Sequence, residues 1–255
     1  MDDDKGDLSP TKRFSSRVDN YAKYRPAYPP GLVELLVRET GLQPDWPLAD
    51  IGSGTGILTQ LLLRNGNEVF AVEPNREMRA AAESVLSNEP RFKSVDGTAE
   101  NTTLPDCSVR GVLVAQAFHW FDGPKAVTEF RRILQSGGFI ALIWNARDTS
   151  ATPMMKEYER IVLTFGTSFA KQGKELVPVE RLRELLGPRL RELKLRNHQN
   201  LEWDGLKGRL LSASYMPHEG QAGADEMLKQ LRAAFDQHQR SGMIRMDYET
   251  RVYLT

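Results

Sequence analysis

One glycine-rich segment constrains the fold of this chain more than any other feature. Residues 50–56 read Asp-Ile-Gly-Ser-Gly-Thr-Gly and lie between a short apolar run, 48–51, and a stretch of helical apolar spacing that begins at Ile57. Alternate glycines let the backbone turn sharply and let a ligand approach the main chain. The next helix would direct its free N–H groups and positive dipole end to the same place. The segment predicts a strand–turn–helix unit that holds a ligand, with a tight turn without a ligand as the alternative.

Short apolar runs and amphipathic stretches continue to alternate through the first half. Besides 48–51, the sequence predicts strands at 68–72, 91–95, 109–117 and 139–144. Helices are expected between them, one of them capped by Asp122 and ended by Gly137 and Gly138. Strand–helix repeats of this kind imply parallel strands joined by right-handed crossovers, with ligands bound at the carboxyl ends of the strands.

The second half has a different pattern. Residues 152–187 and 204–239 are expected to be largely helical, and strands are expected within 193–203 and at 248–254. Neither helical stretch is long enough for a core of its own, so we interpret both as insertions that roof the site. The predicted organisation is a disordered segment 1–13, a ligand-binding α/β core with an N-terminal lid at 14–145, and 146–255 with helical insertions and C-terminal strands that complete the same domain.

Composition excludes several classes of protein. The chain has 34 basic and 34 acidic residues, so nothing in its charge favours nucleic acid or an anionic membrane. Its one cysteine, Cys107, rules out an internal disulfide framework, and no apolar run approaches the roughly 20 residues of a membrane span. The first residues are acidic and polar, so no signal peptide is expected there. We therefore expect a cytoplasmic protein with a small-molecule partner and neither a nucleic-acid nor a membrane partner.

An acidic residue provides the second ligand-binding signal. Glu73 ends the strand predicted at 68–72 and lies about 20 residues beyond the first glycine of the turn. At that spacing an acid accepts hydrogen bonds from the hydroxyls of a ribose. A solvated surface charge is the alternative. Three scattered histidines, His198, His218 and His238, lack metal-ligand spacing, and no metal is expected.

Together these segments resemble the class I S-adenosylmethionine-dependent methyltransferases of the methyltransferase type 11 group. Residues 50–56 resemble the family's first motif, and Glu73 the acid that holds the ribose. Residues 97–106 resemble the segment beside the adenine, 115–121 the segment beside the methionine moiety, and 131–138 the helix and turn before strand five. The resemblance covers residues 14–145 well and the last third only loosely.

The resemblance implies a doubly wound α/β sheet of seven strands in the order 3-2-1-4-5-7-6, with the last strand antiparallel. It also implies S-adenosylmethionine as methyl donor and S-adenosylhomocysteine as product. The residues that would hold the donor are Tyr21, Arg25, Asp50, Gly52, Ser53, Gly54, Gly56, Glu73, Pro74, Met78, Thr98, Ala99, Glu100, Gln116 and Ala117.

Few residues in the predicted site carry acid–base or charged chemistry. His119 is the only histidine near the carboxyl end of a strand in the donor-binding half, so it is the candidate base for an acceptor that must lose a proton. Arg25 could pair with the donor's carboxylate. The acceptor is expected to approach His119, Trp120, Trp144, Asn145 and Arg147, and Arg147 suggests an anionic substrate.

Two other functions stay open at this point. A nicotinamide-dependent oxidoreductase also uses a glycine-rich turn, but Ile57 stands where its fingerprint requires a third glycine. A catalytically silent module could keep the fold and bind the donor without turning it over. The sequence therefore favours a methyltransferase that acts on a small-molecule acceptor, without identifying that acceptor or the atom that is methylated.

Overall fold

The computed structural model describes residues 24–166, 177–213 and 215–255. A seven-stranded sheet in the order β3-β2-β1-β4-β5-β7-β6 runs through it. The strands are β1 (Pro47–Ile51), β2 (Glu68–Val72), β3 (Phe92–Val95), β4 (Val109–Ala115), β5 (Leu134–Arg147), β6 (Arg191–Leu201) and β7 (Ile244–Leu254). The predicted strand order is confirmed.

The first five strands are parallel, and β7 is antiparallel to both β5 and β6. β7 therefore lies between two strands that run the other way, as the sequence predicts. Parallel strands need crossovers, which the helices supply. The α-helices of the described residues are α1 (Gly31–Thr40), α2 (Ile57–Arg64), α3 (Arg76–Leu86), α4 (Gly123–Ile133), α5 (Pro153–Phe165), α6 (Val179–Leu186), α7 (Trp203–Leu211) and α8 (Ala224–His238).

Two hydrophobic clusters cover the sheet. One joins the apolar stripe of α4 and Leu182 of α6 to β4 and β5, and the other joins Leu32, Leu35 and Leu36 of α1 to β1 and α2. Burial on both faces explains why the central strands are almost continuously apolar in sequence.

A third hydrophobic cluster lies beyond the sheet. Helices α5, α7 and α8 pack together on the far ends of β6 and β7, around Tyr158, Leu206, Met227, Leu231 and Tyr248. We call these three helices the cap. Neither helical stretch has a core of its own, but side chains from both supply a common one. The cap is nevertheless continuous with the sheet through β6 and β7, and the predicted domain boundaries stay a prediction.

Two boundaries next to the site differ from the expectation. β4 ends at Ala115 and not at residue 117, because Gln116 takes a left-handed conformation with φ of 59°. β5 begins at Leu134, directly after α4, and the pair Gly137–Gly138 lies within it, with an irregular register against Val109 and Gly111. A bulge absorbs these glycines, so they do not end the helix.

No helix among the described residues is long and apolar enough to span a bilayer.

Candidate active site at the carboxyl ends of the strands

The glycine-rich turn lies between β1 and α2. Gly52, Gly54 and Gly56 all take positive φ values, of 67°, 57° and 84°. A Cβ added to Gly52 would come within 2.7 Å of the Ala117 Cβ and 3.1 Å of the Phe121 ring, so no side chain fits there. The turn is therefore packed closely against the end of β4. A ligand at the turn would therefore contact the main chain and the half-buried Ser53.

Glu73 lies beside this turn at the end of β2. One of its carboxylate oxygens accepts the Gly54 N–H at 2.9 Å, and the other accepts the Asn75 N–H at 2.8 Å. The side chain is buried, and burial raises its pKa above the usual range although both hydrogen bonds favour the charged form. A carboxylate has about four acceptor positions, so Glu73 keeps capacity for further donors.

Residues after Glu73 support this geometry. The Asn75 side chain caps α3 by accepting the Met78 N–H at 2.9 Å, and the Met78 side chain is buried. Arg79 donates to the Glu73 carbonyl at 2.7 Å and pairs with Asp96. Pro74 is exposed at the rim. The end of β2 is thus held from both sides, which fixes the direction of the Glu73 carboxylate.

Asp50 lies beneath the turn and not on its surface. Its side chain is 1% exposed and accepts a hydrogen bond from the Thr59 hydroxyl at 2.7 Å. Its other oxygen has no hydrogen-bond partner among the described residues. Burial, with a smaller contribution from the charge on Glu73, raises the pKa of Asp50 to about 7. The role predicted for Asp50 in donor binding stays a prediction, and its position indicates support of the turn from below.

The segment after β3 forms the next wall. Thr98 and Asn101 form an isolated bridge, with N–H to carbonyl distances of 3.0 and 3.3 Å. Ala99 is buried, whereas Thr98 is exposed. Glu100 accepts the Asp122 N–H at 2.9 Å and so ties this segment to the start of α4. These residues are brought to the same end of the sheet as the glycine-rich turn.

Beyond β4 the chain turns sharply and enters a single helical turn of the 3₁₀ type, Phe118–Trp120. Gln116 occupies the left-handed region that favours glycine, and non-glycine residues there are enriched at functional sites. Its amide donates to the Asn145 carbonyl at 3.5 Å, and Ala117 packs on Gly52. His119 is half-buried, and its ring lies 4.9 Å from that of Trp120.

An N-terminal strap, residues 24–30, crosses the ends of β5 and β6. Asn197 donates to the Ala27 carbonyl at 2.8 Å, and Gln199 donates to the Tyr24 carbonyl at 3.1 Å. The Tyr24 ring packs against Gly208 of α7, where a Cβ would overlap it. The strap is thus attached to both the sheet and the cap. Tyr21, predicted to belong to the lid, lies outside the described residues.

Arg25 and Asn145 connect the strap to the rest of the site. Arg25 donates to the carbonyl of Ser212, at the end of α7, at 3.2 Å. Asn145 donates to the carbonyls of Pro26 and Ala27, both at 3.4 Å, and accepts from Thr250 at 2.6 Å. Asn145 is therefore committed to holding the strap. Its predicted contact with an acceptor stays a prediction.

Trp144 is not brought to the surface of the site. Its side chain is 1% exposed and packs edge-on against Tyr253, with the ring centroids 5.7 Å apart. Its position on β5 alternates with Asn145, so the two side chains point to opposite faces of the sheet. The acceptor contact of Trp144 stays a prediction, and the surroundings of its side chain are those of a core residue.

Arg147, by contrast, does line a cavity. It donates to Glu159 of α5 at 3.1 Å and to the Tyr215 hydroxyl at 3.0 Å. The cavity, about 40 Å³, lies between the strap, the end of β5 and the cap. Its lining is Arg25, Pro26, Tyr28, Ile57, Gln116, Asn145, Arg147 and Arg209. Arg209 was not predicted, because it lies on a cap helix whose sequence gives no motif.

Comparison with known proteins agrees with this geometry. The family model for a methyltransferase domain matches residues 49–142. These residues run from β1 into β5 and are thus similar to a methyltransferase domain. An uncharacterized methyltransferase of Mycobacterium tuberculosis is 41% identical over 135 residues, which are 53% of each chain, and one of Schizosaccharomyces pombe is 35% identical over 143 residues, 54% of this chain and 55% of that one. This chain thus spans about half the length of the curated relatives that it matches.

Solved methyltransferase structures extend the likeness across the cap. A proposed type II methyltransferase of Anaeromyxobacter dehalogenans aligns with a TM-score of 0.65 and 25% identity, over 91% of this chain and 97% of that one. Phosphoethanolamine N-methyltransferase 2 of Haemonchus contortus, solved with S-adenosylhomocysteine, aligns with a TM-score of 0.56 over 94% of this chain and 57% of that one, at 14% identity. The second likeness supports the class I methyltransferase fold alone.

Proposed function

We propose that this protein transfers a methyl group from S-adenosylmethionine to a small-molecule acceptor. The observation that carries the proposal is the placement of Glu73. Its buried carboxylate is held by the Gly54 N–H of the glycine-rich turn and keeps lone pairs for two ribose hydroxyls. The family match over residues 49–142 supports the same donor.

The residues present fit this donor. The turn approaches any ligand with main chain alone, since Gly52 has no space for a Cβ. Burial gives Glu73 a surrounding of low polarity, in which a charge-assisted hydrogen bond is strong. When bound, the donor supplies an electrophilic methyl group on a sulfonium with a neutral leaving group. The protein must then mainly align the acceptor, and alignment contributes up to roughly 7–11 kcal/mol in favourable cases.

His119 is proposed as the base for an acceptor that must lose a proton. It lies after β4, where the acceptor would meet the methyl group, and it keeps an orientation set partly by the Trp120 ring at 4.9 Å. Replacement by Gln should lower kcat and flatten the acid limb of the kcat profile without changing donor affinity. An unchanged pH profile in His119→Gln would remove the base assignment and leave the methyl-transfer proposal intact.

The test of donor binding is a calorimetric titration with S-adenosylmethionine, S-adenosylhomocysteine and NAD in parallel. Glu73→Ala should weaken binding of both adenosyl compounds at least tenfold, about 1.4 kcal/mol, because two ribose hydroxyls lose their acceptor. Glu89→Ala, which removes an exposed carboxylate beyond α3, is the matched control and should bind as the parent does. Equal affinity in Glu73→Ala would contradict the ribose assignment, and binding of NAD alone would favour an oxidoreductase.

The remaining parts of the proposal concern the acceptor and the setting. The balanced charge of 34 basic and 34 acidic residues supports a small molecule over a nucleic acid or an anionic membrane. The single cysteine fits a cytoplasmic location, where disulfides are rare. A silent donor-binding module is the second candidate. It would bind S-adenosylmethionine without forming S-adenosylhomocysteine in the presence of any acceptor.

A further inference from the structure

Arg209 is an unusual residue in the cap. Its side chain is 3% exposed, yet among the described residues no carboxylate lies within ion-pair distance of it. Its Nε donates a long hydrogen bond, 3.4 Å, to the Tyr248 hydroxyl, and one terminal nitrogen has no hydrogen-bond partner in the described part of the chain. A buried guanidinium is normally paired, because removing it from water is costly.

The groups around Arg209 do not neutralise its charge. Tyr158, Tyr215 and Tyr248 surround it, and all three are buried. A phenol is neutral at pH 7, and burial raises the pKa of Tyr158 further because it disfavours the phenolate. Arg147 lies close enough to repel it, and the Arg147 charge is already met by Glu159. Among the described residues, the positive charge of Arg209 is therefore not compensated by a carboxylate.

This charge faces the cavity between the strap, β5 and the cap. Arg209, Arg147 and Arg25 all line it, and Gln116 closes it on the side of the glycine-rich turn. About 40 Å³ is enough for a carboxylate-sized group, since a cavity needs only about 10–15 Å³ to hold one water. Guanidinium groups bind carboxylates through paired N–H donors with charge-assisted strength.

We propose that the acceptor is a carboxylic acid whose carboxylate is bound by Arg209 and Arg147. This inference rests on the proposed function, because it specifies the substrate of the same site. The carboxylate would occupy the cavity, and the remainder of the acceptor would extend past Gln116 toward the donor. Arg25, which donates to the Ser212 carbonyl, lines the same cavity from the strap.

The test is a titration of the protein loaded with S-adenosylhomocysteine, using benzoate and succinate against their uncharged counterparts benzamide and succinamide. Carboxylates should bind at least tenfold more tightly than the amides. Arg209→Met should remove that preference while its affinity for S-adenosylhomocysteine stays within twofold of the parent. Arg160→Met, which removes a charge from the exposed surface of α5, should keep the preference.

Three outcomes of the titrations would overturn the inference. Equal binding of carboxylates and amides by the parent protein would show that the cavity does not select charge. A preference retained in Arg209→Met would show that another group provides it. A tenfold loss of S-adenosylhomocysteine affinity in Arg209→Met, with carboxylate binding unchanged, would assign the guanidinium to the carboxylate of the donor.

Failure of the proposed function can be separated from failure of this inference. If neither adenosyl compound binds the parent protein, the methyltransferase proposal fails, and the carboxylate titration is repeated on the free protein. A preference that disappears in Arg209→Met would still support an anion site. Thermal unfolding gives a second readout: without ligand, Arg209→Met should unfold at a higher temperature, because an unpaired buried charge has been removed. A lower unfolding temperature would show that Arg209 is structural and overturn the inference.

Discussion

Asp50 makes the stability of this protein depend on pH in a direction opposite to that of most carboxylates. Its pKa is about 7 in the folded protein, against 3.8 when exposed, mainly because it is buried. Between these two values the folded state holds a proton that the unfolded state has released. The unfolded state thus binds fewer protons, and stability falls as pH rises through this window.

The size of the effect follows from the two pKa values. They differ by about three pH units, and each unit corresponds to about 1.4 kcal/mol, so the ionised carboxylate costs the fold about 4 kcal/mol well above pH 7. The cost grows only as pH rises above 3.8, so at pH 5 about one of these three units has taken effect. Between pH 5 and pH 8.5, Asp50 should therefore lower the free energy of unfolding by about 3 kcal/mol.

Asp50→Asn removes the titration and keeps the shape of the side chain. The assay is urea unfolding of the parent and the variant at pH 5 and pH 8.5, with the free energy of unfolding extrapolated to water. Every other titrating group is common to both proteins, so the difference between the two pH dependences isolates Asp50. The Asn carbonyl can still accept the Thr59 hydroxyl that Asp50 accepts now.

The expected result is that Asp50→Asn gains about 3 kcal/mol relative to the parent between pH 5 and pH 8.5. A difference in the free energy of unfolding that is the same at both pH values would reflect only the altered hydrogen bonding of an amide at this position. Parallel pH dependences would refute the reasoning, because they would mean that Asp50 is ionised in the folded protein at pH 5 and that the glycine-rich turn is not built over a neutral acid.

Three further predictions test other parts of the structure. Gly208→Ala should detach the strap, since a Cβ there overlaps the Tyr24 ring. Proteolysis near residue 24 should then be faster in this variant than in the control Gly205→Ala, and equal rates would contradict the prediction. Arg132 lowers the pKa of Glu129 to about 2, so ionised Glu129 should stabilise the fold above pH 4.5 and lose that effect as pH falls toward 2. Glu129→Gln should flatten the acid limb of the stability curve, and an unchanged limb would contradict this role of Glu129. Trp144→Phe should lower the free energy of unfolding by about 1–3 kcal/mol with acceptor KM unchanged, whereas a KM effect alone would restore its predicted acceptor contact.

The sequence could predict the sheet because its signals are local. Each of three elements is indicated within a few residues: β2 by its apolar run, α2 by the glycines before it, and α4 by its Asp122 cap. Once strands and helices alternate, crossover handedness leaves few possible topologies, and the family resemblance supplied the strand order. The donor half of the site follows the same logic, since it lies in the turns directly after β1, β2 and β4.

Errors in the sequence reading arose where backbone conformation departs from residue preference. Gln116 takes a left-handed φ that its residue type disfavours, so β4 ends two residues earlier than its apolar run suggests. Gly137 and Gly138 are absorbed in a bulge of β5, although glycines after a helical pattern normally predict its end. Tertiary packing decides both positions, and nothing local in the sequence reports it.

The cavity beneath the cap could be predicted only in part, because it is assembled from distant segments. Arg147 ends β5, Arg209 lies on α7 and Arg25 lies on the strap. The sequence indicated Arg25 and Arg147 one at a time, but nothing in it joined them to Arg209. Their meeting depends on β7 returning between β5 and β6, which brings the cap over the carboxyl ends of the strands. Burial gives the Arg209 charge its significance: no carboxylate among the described residues lies within ion-pair distance of it, and the proposal of a carboxylate ligand rests on that observation. The donor residues are thus predicted by sequence motifs, whereas the proposed acceptor site rests on a buried guanidinium whose surroundings are defined only in the folded chain.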